Sequence, residues 1–196
     1  MQPVAIGIRP HSGWAAAVVV AGGPGAIEIV DRRKIVITDP MIQGANQPYH
    51  FAKDLSDPDR YLAECAAASE RLAWEALREV VSDARRRQKA VAGCVILLAS
   101  GRKLPALANI LASHPLIHTA EGEFFRQSFR RAGERLKLQV TGIRERDLED
   151  RSHMTFGAGA KTLQREIAGL GKSLGPPWTA DQKNACLAAL LVLNQG

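Results

Sequence analysis

The stretch Val4-Ala5-Ile6-Gly7-Ile8-Arg9-Pro10-His11-Ser12-Gly13-Trp14 opens with an apolar run, rich in β-branched residues, that stops at Pro10 and Gly13. A second such run, Trp14 to Val20, follows at once. Neither Pro nor Gly continues a central strand easily, so the two runs read as a β-hairpin. Beyond it, Gly22-Gly23-Pro24-Gly25 marks a turn, and Ile27, Ile29, Ile35 and Ile37 keep period-2 spacing around the polar Asp31-Arg32-Arg33-Lys34. That pattern predicts a third antiparallel strand, with room in it for a bulge.

Downstream the period changes. Residues 39 to 56, with Pro40, Gly44, Pro48 and Asp54, carry no regular repeat and read as a long loop that could cover a site. Asp57-Pro58 fits N-cap followed by N1. From there Leu62, Cys65, Ala66, Ser69, Leu72, Ala73, Ala76, Leu77, Val80 and Val81 recur at helical spacing toward Arg85-Arg86-Arg87. Val91 to Ala99 is almost continuously apolar, as in a strand covered on both faces of a mixed or parallel sheet.

Leu104, Leu107, Ala108 and Leu111 suggest a short helix, and after His114-Pro115 a longer one is expected to start near Thr119. Leu138 to Ile143 reads as a further strand. Lys161 to Leu170 and Thr179 to Leu193 read as helices, the last opening with the capping-box pattern Thr179-x-x-Gln182. The predicted fold is α/β: an antiparallel three-strand meander plus parallel strands in one mixed five-stranded sheet, flanked by helices.

Size and composition agree with one domain over residues 1–196, since a chain of this length buries roughly 70% of its unfolded surface. With 46% hydrophobic and 23% charged residues the usage is that of a globular chain, which excludes a wholly disordered or fibrous one. No apolar run reaches the ~20 residues that span a bilayer, and Met1-Gln2-Pro3-Val4 lacks a signal peptide's basic and apolar regions, so a cytoplasmic protein without membrane partners is expected. Cys65, Cys94 and Cys186 are odd in number and set among aliphatic residues, which makes them buried hydrophobes rather than disulfides or zinc ligands. Gly169-Leu170-Gly171-Lys172-Ser173 is no phosphate loop, because Glu166 stands where the first Gly is required and the segment follows a helix. The formal charge of +6 is compatible with a polyanionic partner, since basic surface speeds encounter and releases counterions.

Two stretches carry a family resemblance. Gly157-Ala158-Gly159-Ala160-Lys161-Thr162-Leu163-Gln164 through Asp181-Gln182-Lys183-Asn184-Ala185-Cys186-Leu187-Ala188-Ala189 resembles the closing segment of RuvC-type Holliday-junction resolvases. There a Gly-rich turn with Lys opens a helix, and the last helix carries Asp-x-x-Asp-Ala-Leu-Ala. Ile6-Gly7-Ile8-Arg9-Pro10-His11-Ser12-Gly13 is similar to that family's opening strand, Gly-Ile-Asp-Pro-Gly-Ser. The resemblance implies an RNase H-like fold, nucleic acid as partner (branched or double-stranded DNA foremost), compatibility with a homodimer, and Mg²⁺ or Mn²⁺ held by carboxylates for phosphodiester hydrolysis.

The carry-over of those carboxylates is incomplete. Arg9 matches the first-strand Asp, the fourth-strand acid falls in Leu97-Leu98-Ala99-Ser100, and Asn184 matches the second acid of the last helix. Asp181 alone is kept, so the resemblance implies binding without two-metal cleavage. Asp181 and Asn184 lie three apart on one helix, and the spacing permits an Arg9–Asp181 ion pair; equally, Asp181 serves the helix dipole in the first turn.

Three functional readings stand at this level. In the first the chain binds nucleic acid, with Arg9, His11, Arg102, Lys103, Arg126 and Arg130 meeting phosphates. In the second it is a nuclease with a rearranged catalytic site of His118, Glu121, Glu123 and Asp181, in which Asp181 and Glu121 hold one Mg²⁺ or Mn²⁺. His118-Thr119-Ala120-Glu121-Gly122-Glu123 is the densest chemical cluster, although a helix start, with Thr119 as N-cap and two acids in the first turn, is the favoured explanation of it. In the third the chain is a non-catalytic protein-interaction module, since one fold hosts many functions.

Overall fold

In a computed structural model, which describes residues 1–99, 101 and 103–194, β1 (Gln2–His11) and β2 (Trp14–Ala21) pair antiparallel across a two-residue turn. The turn needs Gly13, whose φ of 78° a β-branched residue would not accept. β3 (Glu28–Val36) continues the meander. Val19 faces Asp31 while Val20 faces Ile29, which leaves Val30, just before the polar stretch, as the extra residue of a bulge.

β4 (Lys89–Leu98) then pairs parallel with β1, and β5 (Val140–Arg144) parallel with β4. The sheet order is β3-β2-β1-β4-β5, mixed and five-stranded as predicted.

The segment expected to be one irregular loop holds α1 (Pro48–Ala52), started by Pro48 at its first turn; five residues are too few to show a period. α2 (Pro58–Arg86) begins where Asp57 accepts the Arg60 amide at 3.1 Å. α3 (Leu107–Leu111) is short. α4 runs His114–Arg135, so the expected start near Thr119 is corrected. Pro115 sits in the first turn, where its missing N–H is harmless, and Ser113 is the N-cap residue. Thr119 therefore caps nothing; its hydroxyl donates to the Pro115 carbonyl at 3.0 Å. α5 (Leu148–Phe156) was not anticipated, α6 (Ala160–Gly169) and α8 (Ala180–Leu193) were, and α7 (Gly171–Leu174) is a single turn between them. Thr179 and Gln182 form the predicted capping box on α8.

Alternation along the central strands divides the core in two. Val4, Ile6 and Ile8 of β1 with Cys94 and Ile96 of β4 meet Ala73, Leu77 and Val80 of α2 and Phe125 and Phe129 of α4. On the other face Ala5, Val18, Val20, Val95 and Leu97 meet α8, backed by Leu148, Leu163 and Ile167. Ala185 to Leu191 of α8 are buried in unbroken succession, as a helix covered by the sheet on one side and by other helices on the other must be. All three cysteines are buried and unpaired, and burial alone pushes the Cys94 and Cys186 thiols up to about 12. Among the described residues no helix is long and apolar enough to cross a membrane.

Candidate functional site

Ala5, Gly7, Arg9 and His11 share one face of β1, the face that α8 covers. A Cβ on Gly7 would lie 1.9 Å from the Ala185 carbonyl oxygen, so only Gly lets α8 approach this closely. Asp181 lies one turn before Ala185, and Arg9 two residues after Gly7. The close crossing thus sets the first turn of α8 over the end of β1.

There Arg9 is held from two sides. Its Nε donates to Glu145 Oε1 at 3.0 Å and its terminal nitrogens reach Glu145 Oε1 and Asp181 Oδ1. Asn184, also on α8, donates Nδ2 to the same Glu145 oxygen at 2.8 Å. His11 Nε2 stands 3.0 Å from Arg9 Nη1 and 3.1 Å from Asp181 Oδ1. It accepts from the guanidinium when unprotonated and donates to the carboxylate when it carries a proton. The His11 ring stacks on Trp14 with centroids 4.2 Å apart, and Lys34 Nζ lies 4.7 Å from the centre of the Trp14 ring. Arg9 and Asp181 side chains are 23% and 22% exposed, so the cluster is in reach of solvent and of a ligand.

Arg126, from α4, donates Nε to the Leu97 carbonyl at the end of β4, at 3.1 Å. Burial pushes its guanidinium below its ordinary value; Glu123 and Glu145 oppose this and Arg9 adds to it, which places Arg126 in the field of the Arg9 cluster. These groups gather outside the carboxyl ends of parallel strands β1, β4 and β5, where ligands of open α/β sheets bind.

The other expected groups fall elsewhere. Arg130 is half-buried beside Gly142 of β5, Lys103 is exposed, and Arg102 and Ser100 lie outside the described residues. His118 is exposed, and with Glu123 and Arg126 it lines a groove of about 370 Å³. Glu123 accepts from Gln127 Nε2 at 2.6 Å. Glu121 is buried, and its Oε1 accepts from the His50 amide at 3.1 Å and from His50 Nδ1 at 2.9 Å. The hydrogen bonds of Asp181 and of Glu121 therefore belong to two separate clusters.

The sequence reading missed Glu145, His50 and His114. Glu145 had a usable signal, being the first acid after the β5 strand, which pairs with β4 as β4 pairs with β1. His114 had one too: once Pro115 is read as a helix start rather than a break, His114 and His118 become an i, i+4 pair. His50, inside an aperiodic stretch, had none.

Compared with known proteins, the chain matches no family model and no curated protein. Among solved structures it is similar to Thermus thermophilus RuvC in complex with a Holliday junction substrate, at 14% identity over 97% of this chain and 92% of that one, with a TM-score of 0.53. A second Thermus thermophilus RuvC structure gives 14% identity, 96% and 92% coverage and a TM-score of 0.51. The fold is thus RuvC-like, within the RNase H-like class.

Proposed function

We propose that the chain is a RuvC-like nucleic-acid-binding domain that engages branched or double-stranded DNA along the carboxyl edge of its sheet and does not cleave it with paired divalent cations. The observation that carries the second half is Arg9: a permanent positive charge lies between Asp181 and Glu145, where the resemblance would put a metal-binding carboxylate. Mg²⁺ needs oxygen ligands in near-octahedral array at about 2.0–2.1 Å. Here Asn184 turns its N–H toward Glu145 and a guanidinium takes both acids, so the residues present do not fit a metal pair.

Support for DNA as partner comes from the similarity to a RuvC solved with a Holliday junction, and from Arg9, His11, Lys103, Arg126 and Arg130 as cations or donors for phosphate. Half-buried Arg9 and Arg126 would position the backbone, and exposed Lys103 would add counterion release.

The test is fluorescence anisotropy against labelled four-way-junction, duplex and single-stranded probes over a range of salt, in EDTA and then in Mg²⁺ or Mn²⁺. The expected result is preference for one DNA shape, unchanged products with metal, and a salt slope that falls by about 1 for each of Lys103→Ala and Arg126→Ala. No binding better than micromolar at low salt would leave the likeness architectural and favour a protein-interaction module. Metal-dependent cleavage lost on Glu121→Gln would favour the nuclease rebuilt from His118, Glu121, Glu123 and Asp181.

A further inference from the structure

His50, His114 and His118 bring one ring nitrogen each to within 4.8 Å of one another. Two come from α4, at i and i+4 on one face, and the third from α1. Their ring centroids are 4.5 to 5.2 Å apart and the planes are steeply inclined, from 63° to 79°, so the rings converge edge to face rather than stack. We propose that these three histidines form a binding site for one divalent transition-metal ion of the Zn²⁺ type, distinct from the Arg9 cluster.

A carboxylate behind the rings is the second observation. Glu121 is 2% exposed, a state that glutamates reach only when paired. Its Oε1 takes both the backbone amide and the Nδ1 of His50. A carboxylate only accepts, so the Nδ1 carries the hydrogen and the neutral ring keeps its lone pair on Nε2, free for a metal. A buried carboxylate that fixes the tautomer and orientation of a histidine, and raises its basicity, is the usual support of a metal-binding imidazole. Tyr49 helps hold α1 in place, meeting Phe124 of α4 edge to face at 6.1 Å.

Donor chemistry selects the ion. Three imidazoles suit Zn²⁺, Co²⁺, Ni²⁺ or Cu²⁺ and not Mg²⁺ or Ca²⁺, which require oxygen. Zn–N bonds of about 2.0–2.1 Å need the three nitrogens drawn somewhat closer than they stand. His114 and His118 are exposed and can turn to do so. Three protein ligands leave a fourth position for water, which the exposure of His114 and His118 keeps open to solvent. The buried cysteines offer no competing thiolates.

The experiment uses the full chain, stripped with EDTA and dialysed, titrated with ZnCl₂ by calorimetry and with CoCl₂ by visible absorption. One Zn²⁺ per chain, a four-coordinate Co²⁺ spectrum, and a melting temperature that rises with Zn²⁺ concentration are expected. The double variant of His114→Ala with His118→Ala, both at exposed positions, loses all three, and Glu121→Gln weakens Zn²⁺ by about 10- to 100-fold. The variant His153→Ala, at an exposed histidine elsewhere, binds as the parent does. Wild type without Zn²⁺ binding, or binding retained by the double variant with its circular dichroism intact, would overturn the site. Neither result depends on whether the chain binds DNA.

Discussion

Arg9 ties together two acids that lie far apart in the sequence. Glu145 and Asp181 approach it from different elements, and its guanidinium separates two acids that would otherwise face each other half-exposed. Replacing Arg9 by Ala leaves both without their shared donor, at a cost of about 1–3 kcal/mol, as for other orphaned charged acceptors. Urea denaturation of Arg9→Ala and of Arg9→Ala with Asp181→Ala measures this. The double variant should recover part of the loss, because partners in one network are not additive. Strict additivity would mean the pair contributes nothing. The Arg9–Asp181 pairing could be anticipated from sequence, since both lie in stretches with a recognisable pattern. Glu145, the first acid after β5, gave a weaker signal, because its nearness to Arg9 exists only once β5 has docked beside β4 and β4 beside β1.

Among the elements, the crossing of α8 over β1 matters most to the cluster. With the Ala185 carbonyl oxygen 1.9 Å from where a Gly7 Cβ would sit, Gly7→Ala forces α8 away from the sheet. Overpacking of this kind costs about 1–3 kcal/mol, and it moves Asp181 off Arg9 as well. Gly159→Ala is the matched control: its Cβ would meet nothing within 4 Å, and its φ of −72° suits Ala. The control should be neutral or more stable by up to about 1 kcal/mol. Equal midpoints for the two variants would show that α8 can yield at no cost. Sequence periodicity announced α2 and α8, which are long or well capped, but not α1, too short for a period. α4 was placed late because a proline in the first turn looks the same in sequence as one that ends a helix. That misplacement hid the His114–His118 pair, so an error of one helical turn or so concealed a whole candidate site.

For the molecule as a whole, the two apolar layers share their strands. β1 sends Val4, Ile6 and Ile8 to one layer and Ala5 to the other, while β4 sends Cys94 and Ile96 one way and Val95 and Leu97 the other. Neither layer can be lost without exposing the other's half of the same strands, and we therefore propose that the chain unfolds as one unit. Tryptophans report the layers separately. Trp74 packs on the α2/α4 side, flanked by the Arg78 and Arg135 guanidiniums at 4.7 and 4.1 Å. Trp178 packs on the α8 side and donates Nε1 to the Ile167 carbonyl at 2.7 Å. In urea, variants keeping only Trp74 or only Trp178 should each show a single transition, and each fluorescence midpoint should match that of the same variant's far-ultraviolet circular dichroism. A Trp178 transition that precedes the loss of secondary structure would mean that the α8 side opens alone. The Arg9 cluster, built on α8, would then belong to the less stable part of the molecule.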